Sequence, residues 1–234
     1  MLLTLFFGEI PTREFEKDVF QTSGGQLTIT FIGHASLMME YNGKVFHIDP
    51  VGQYADYSKL PKADLVLITH SHSDHFDLAA IEKIRKPGME VVLPATCSPR
   101  LPEGKVIKNG ESGTFAGIRV DAVPAYNIQH ERSPGQPYHP KGEGNGYILR
   151  FGDLTLYVAG DTENIPEMKN LKGTDVAFLP MNLPYTMTPE MAAIAARAFL
   201  PRILYPYHFG STDTGILVRL LKNDPIEVRI RNMK

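Results

Sequence analysis

A four-layer αββα sandwich, two β-sheets face to face with helices on their outer sides, is the architecture this sequence predicts. Antiparallel hairpins come first, strand–helix units follow, and this half-and-half order then repeats. The segment "DLVLITH" (64–70) is a nearly continuous apolar run, the pattern of a strand covered on both faces. No low-complexity stretch or linker interrupts the 234 residues, so they read as one α/β domain, 1–234.

Residues 1–25 read as an irregular lead-in with a short helix around "TREFEKDVF". Strands follow at 27–33, 36–41 and 44–50, the last two joined by an Asn42-Gly43 turn. Residues 51–63 are loop-like, and 64–70 is the buried strand. Leu78, Ile81 and Ile84 recur at helical spacing within 77–86, with Asp77 as N-cap and Pro87-Gly88 as terminator. Further strands fall at 90–95, 105–110, 113–126, 146–161 and 175–181. A helix at 188–200 opens on Thr188 as cap and Pro189 in its first position. A strand at 202–209 and a closing helix–strand pair finish the chain. The longest irregular segment, 127–145, has a length usually seen in functional or disordered loops.

Composition narrows the function. A formal net charge of −2 without blocks of like charge argues against nucleic acid as a main partner. The single cysteine, Cys97, excludes an internal disulfide and any CxxC site, so a metal here must use His, Asp or Glu. No apolar stretch is long enough to span a bilayer. The opening "MLLTLFFGEI" has no basic residue before its apolar run and no clear small-residue cleavage site. A cytoplasmic location is therefore expected, with export through a clipped signal as the alternative.

"ITHSHSDHFD" (68–77) carries the chemistry. Three of the eight histidines (His70, His72, His75) and two aspartates (Asp74, Asp77) follow the apolar strand. In an extended chain His70 and His72 project to one side, and the turn before the helix swings Asp74 and His75 toward an adjacent position. Imidazole and carboxylate are ligands that zinc and similar divalent ions accept. A polar loop or a satisfied core histidine would account for one histidine, not for three beside an aspartate.

"HSHSDH" resembles the HxHxDH signature of the metallo-β-lactamase superfamily, and the likeness runs from 27 to about 212. "IGHAS" (32–36) and "HIDP" (47–50) resemble the branch of metal-dependent hydrolases that includes L-ascorbate-6-phosphate lactonase. The resemblance implies the metallo-β-lactamase fold and a dinuclear site. Asp161, in "GDT" after the strand "LTLYVA", takes the place of the aspartate that bridges the two metals. His208, after "ILYPY", takes that of the last metal histidine. Where many relatives have a third-motif histidine, this chain has Tyr126 and Asn127. His139 and His130 are the candidates downstream: "YHPKGEGNGY" leads directly into the next strand and favours His139, and neither binding is the remaining alternative.

The expected arrangement is one ion on His70, His72 and His139 and a second on Asp74, His75 and His208, with Asp161 and a hydroxide between them. Asp74 is expected to orient the attacking hydroxide, and His34 to donate a hydrogen bond to substrate. Asp49 is expected behind the ligands, holding a histidine. Tyr54, Tyr57, Tyr126, Asn127 and 183–188 are pocket candidates. The expected cofactors are two divalent ions, zinc first, with manganese or iron as alternatives. The expected activity is hydrolysis of a small molecule, a lactone or phosphodiester, with an iron-dependent oxidoreductase or a non-catalytic metal-binding protein as rivals.

Overall fold

The computed structural model describes residues 14–234. The first sheet holds seven strands in chain order: β1 (Lys17–Thr22), β2 (Gly25–Gly33), β3 (Ser36–Tyr41), β4 (Lys44–Ile48), β5 (Leu65–Leu67), β6 (Glu90–Leu93) and β7 (Lys105–Val106). β1 to β4 pair antiparallel, and β4 to β7 pair parallel. At the β3–β4 turn Asn42 and Gly43 both have positive φ (49° and 72°), which accounts for that dipeptide.

The second sheet repeats the plan. β8 (Ser112–Phe115) and β9 (Ile118–Ala125) form a hairpin, and β10 (Glu131–Ser133) and β11 (Gln136–Pro137) form a small hairpin of their own. β12 (Gly144–Phe151), β13 (Leu154–Val158), β14 (Val176–Pro180), β15 (Ile203–Tyr207) and β16 (Glu227–Val228) complete the sheet in the order β16-β15-β14-β13-β12-β9-β8. It too is antiparallel from β8 to β13 and parallel from β13 to β16.

Period-two alternation sorts the core into layers. Leu65 and Leu67 of β5 face the second sheet, in one cluster with Phe46, Phe151 and Phe178. Val66 and Ile68 turn the other way and pack with Ile81 and Ile84, so α1 (Leu78–Lys83) covers the outer face of the first sheet. Ala192, Ala196 and Phe199 of α2 (Pro189–Phe199) and Leu217 and Leu221 of α3 (Thr214–Leu221) join the core around the second sheet. The expected caps are in place: Thr188 accepts from Met191 N, and Asp77 accepts from the amides of Ala79 and Ala80.

Several expectations fail. The strands expected at 113–126 and 146–161 are each a hairpin, β8–β9 and β12–β13, turned at Ala116-Gly117 and Gly152-Asp153. The helix anticipated around 12–20 is strand from Lys17 onward and irregular over 14–16; residues 12–13, like the N-terminal apolar run, lie outside the described residues. Phe15, Val19 and Phe20 suit either periodicity, and the free edge of β2 decides between them, with Lys17 opposite Thr30 and Thr22 opposite Gly25. Asp18 then anchors the strand to the C-terminal segment, its carboxylate accepting from Arg231 Nη2 at 2.7 Å to each oxygen and from the Tyr205 hydroxyl. The segment 127–145 is not structureless either. It carries the β10–β11 hairpin, turned at Pro134-Gly135 with Gly135 at φ 76°.

No helix among the described residues is long and apolar enough to cross a membrane.

Asp18 is mostly buried. Burial opposes its charge, but the Tyr205 hydroxyl and Arg231 hold its carboxyl below the ordinary 3.8. Its contribution is therefore present above that value and is lost as pH falls below it. Asp18→Asn is expected to lower stability at pH 7 by about 2 kcal/mol, read as a lower urea midpoint at unchanged slope. The difference from wild type should shrink as pH falls below that ordinary value.

Candidate metal centre

β2, β4 and β5 run in one direction, so their C-terminal ends share an edge, and the C-terminal ends of β13 and β15 meet that edge from the other sheet. Crevices beyond the carboxyl ends of parallel strands are where such sheets bind ligands. Main-chain bonds pin the edges together: His208 N–H donates to the His34 carbonyl (2.8 Å) and Asn145 N–H to the Thr69 carbonyl (2.8 Å). The backbone is strained there. His34, Asp49 and His208 have φ of 54°, 44° and 46°, a region that non-glycine residues enter only when their surroundings hold them.

Among the described residues, the side chains gather into two groups of four: His70, His72, His139 and Asp161, and His34, Asp74, His75 and His208. Within each group the candidate ligand atoms all lie within 4.8 Å of one another. Asp161 also reaches the second group. Its Oδ2 lies 3.2 Å from His139 Nε2 and 3.3 Å from His208 Nε2, and its Oδ1 lies 3.4 Å from His75 Nε2. His34 stands closer to the cluster than a substrate-facing donor would need: its Nε2–H donates to Asp74 Oδ2 (3.1 Å), and its ring stacks on Tyr54.

The residues behind the cluster aim it. His75 Nδ1–H donates to Asp49 Oδ2 (2.8 Å), while Asp49 also accepts from Thr69 N–H (2.8 Å) and the Thr69 hydroxyl (2.6 Å). Thr69 Oγ1 in turn accepts from His70 Nδ1–H (3.0 Å). His139 Nδ1–H donates to Asn127 Oδ1 (2.6 Å), and Asn127 donates to Glu163 Oε1 (3.1 Å). Each bond turns the ring's Nε2 inward, the atom a metal-binding histidine offers once it carries no proton there. His130 is turned away: its Nδ1 lies 2.7 Å from Glu163 Oε1, and it belongs to neither group. Asn127 is thus a support for His139 rather than a cleft residue. Tyr57 is fully buried in the core against α1, and the Tyr126 hydroxyl donates to Glu167.

Sequence reasoning missed Thr69 and Glu163. A threonine ending an apolar strand and an acid two residues after Asp161 carry no pattern of their own. Their roles appear only when Asp49 and the 127–130 amides are brought to them.

The electrostatics favour cations. Burial lowers His70 well below the ordinary imidazole value, and burial with neighbouring His139 brings His72 to about 4, so both are neutral at pH 7. Burial opposes the charge on Asp161, but His208, His75, His139 and His70 together hold it ionised. His75 Nε2, Asp161 Oδ1 and both ring nitrogens of His208 are buried without a hydrogen-bond partner. Buried polar atoms are rarely left so, and a divalent cation between these donors would satisfy them. The residues fit such an ion. A cleft of about 420 Å³ opens onto them, lined also by Arg132, Asn182 and Tyr185.

Comparison with known proteins agrees. Residues 28–208 match the model of the beta-lactamase superfamily domain. A UPF0173 metal-dependent hydrolase of Koribacter versatilis is 35% identical over 207 residues, covering 79% of this chain and 85% of that protein. A crystal structure from Parabacteroides distasonis, of a protein named provisionally as a metal-dependent hydrolase, is 50% identical with TM-score 0.91, over 94% of this chain and 100% of that one. Igni18, a metallo hydrolase of Ignicoccus hospitalis, is 26% identical with TM-score 0.72, over 87% of this chain and 94% of that one. The chain belongs to the β-lactamase superfamily and, within it, to the UPF0173 family of metal-dependent hydrolases.

Burial pulls His75 down, but Asp161 and the hydrogen bond to Asp49 outweigh it and raise it to about 9. Without a cation, His75 therefore stays charged at neutral pH and loses its proton only as pH rises through that value. An ion at Nε2 must displace this proton, so zinc uptake at pH 7.5 is expected to release about one proton from His75. Calorimetric titration in buffers of different ionisation enthalpy measures it. The release should decline above about pH 9, and a release unchanged up to about pH 10 would contradict the assignment.

Proposed function

We propose that the enzyme is a single-domain hydrolase of a small-molecule lactone or phosphodiester that works with two divalent ions, zinc being the first candidate. The observation that carries the reading is Asp161, a buried carboxylate whose two oxygens face both groups of histidines. In this assignment His70, His72 and His139 would hold one ion, Asp74, His75 and His208 would hold the second, and Asp161 would serve both. When bound, such ions supply positive charge that makes water acidic near neutrality and offsets negative charge developing on the substrate.

The remaining work falls to the chain itself. Asp49, Thr69 and Asn127 accept the outward ring protons of His75, His70 and His139 and so turn the inward nitrogens toward the site. Asp74, which lines the cleft, orients the attacking water through its carboxylate. His34 holds Asp74: burial lowers the pKa of this histidine, which keeps it neutral at pH 7 with its Nε2–H given to that carboxylate. We assign it a role through Asp74 rather than on the substrate directly. The preference for a lactone or phosphodiester rests on the likeness of "IGHAS" and "HIDP" to the lactonase branch and on the absence of a basic patch in the sequence.

Metal analysis combined with a screen of lactones and bis(p-nitrophenyl) phosphate tests the reading. Hydrolysis should accompany about two ions per chain. His72→Ala and Asp161→Ala should each lose at least about a hundredfold in kcat/KM, while a His139→Ala protein loses far more than a His130→Ala protein. Full activity in the His72→Ala protein would exclude the assignment.

A further inference from the structure

Arg132, on the β10–β11 hairpin, is a rim residue that the proposed chemistry leaves without a task. Its Nη2 lies 3.0 Å from His72 Nε2, and its guanidinium sits 5.5 Å from the centre of the Tyr138 ring. Among the described residues it makes no ion pair with a carboxylate and is the only lysine or arginine lining the cleft. The cleft also carries Asp74 and Asp161.

The contact with His72 fixes a tautomer. A guanidinium has donors only, so His72 Nε2 must accept and the ring proton must sit on Nδ1. Yet Nδ1 is the atom turned toward the group, 3.1 Å from His70 Nε2 and 3.2 Å from His139 Nε2. A neutral imidazole that gives its Nδ1 lone pair to a cation carries its proton on Nε2. Two donors would then face each other, and the Arg132–His72 hydrogen bond could not persist. The bond seen here and metal ligation through Nδ1 exclude one another.

We propose that Arg132 is the anion-recognition residue of this cleft, held by His72 until His72 serves as a ligand and then free to take a carboxylate or phosphate group of the substrate. The substrate is accordingly anionic at a position away from the bond that is broken. Arginine suits this task because its planar fork matches both kinds of oxyanion, and an exposed side chain on a small hairpin can turn into the cleft at little cost. This inference rests on the assignment of His72 as a metal ligand and sharpens the substrate class of the same site.

Two measurements without turnover test it, using zinc-loaded wild type, Arg132→Ala, Arg132→Lys and His72→Ala. By calorimetry, phenylphosphonate or benzoate should bind Arg132→Ala at least about tenfold more weakly than wild type, and Arg132→Lys should recover part of the loss. Whichever probe shows the larger loss distinguishes phosphate from carboxylate as the group recognised. By chelator competition, zinc should bind Arg132→Ala as tightly as wild type or up to about tenfold more tightly, because a competing hydrogen bond and a nearby positive charge are removed. Unchanged binding of both anions, or weaker zinc binding in Arg132→Ala, would overturn the proposal while leaving the hydrolase reading intact. Unchanged zinc affinity in His72→Ala would overturn both.

Discussion

Everything at this sheet edge is arranged around one buried carboxylate. Asp161 is almost inaccessible, lies within 3.8 Å of ring nitrogens of His70, His75, His139 and His208, and stays ionised against the pull of burial. A charge in such a place is tolerated only when opposite charge or donors surround it. The surrounding imidazoles are themselves aimed by Asp49, Thr69 and Asn127, which are in turn fixed by the strand ends and by the 127–139 segment. The strained backbone at His34, Asp49 and His208 is part of the same arrangement. A stable fold would avoid these costs unless the cluster were built to hold something.

The two-sheet plan explains how distant residues meet. Each sheet begins antiparallel and ends parallel, so the carboxyl ends of its later strands collect at one edge, and packing the sheets face to face brings the two edges together. His34 and His208 are far apart in sequence, yet the amide of one histidine donates to the carbonyl of the other (2.8 Å). The helices take little part in the site itself. They close the outer faces of the sheets and hold the strand registers that place the ligand atoms.

Much of this was legible in the sequence because its signals are local. "HSHSDH" follows an apolar strand, the Asn42-Gly43 turn states its own geometry, and Asp77 and Thr188 are caps that need only their next few residues. The elements that were not legible depend on partners far along the chain. Lys17–Thr22 becomes a strand because β2 has a free edge and because Arg229 and Arg231 reach back to Asp18. The third histidine was ambiguous between His130 and His139 because both lie in one loop. What separates them is Glu163, buried beneath that loop, which accepts from the amides of Ile128, Gln129 and His130 and also from the His130 ring. The Pro134-Gly135 turn signal was present, and it would have shown that the segment was shorter and more ordered than its composition suggested.

A carboxylate placed as Asp161 is should be shared by two ions, one on either side of it. Anomalous diffraction at the zinc edge, from crystals grown with zinc, tests this most directly. Two peaks are expected about 3.5–4 Å apart, one within bonding distance of His70, His72 and His139 and the other of Asp74, His75 and His208, with Asp161 touching both. A single peak, or zinc bound without Asp161, would contradict it.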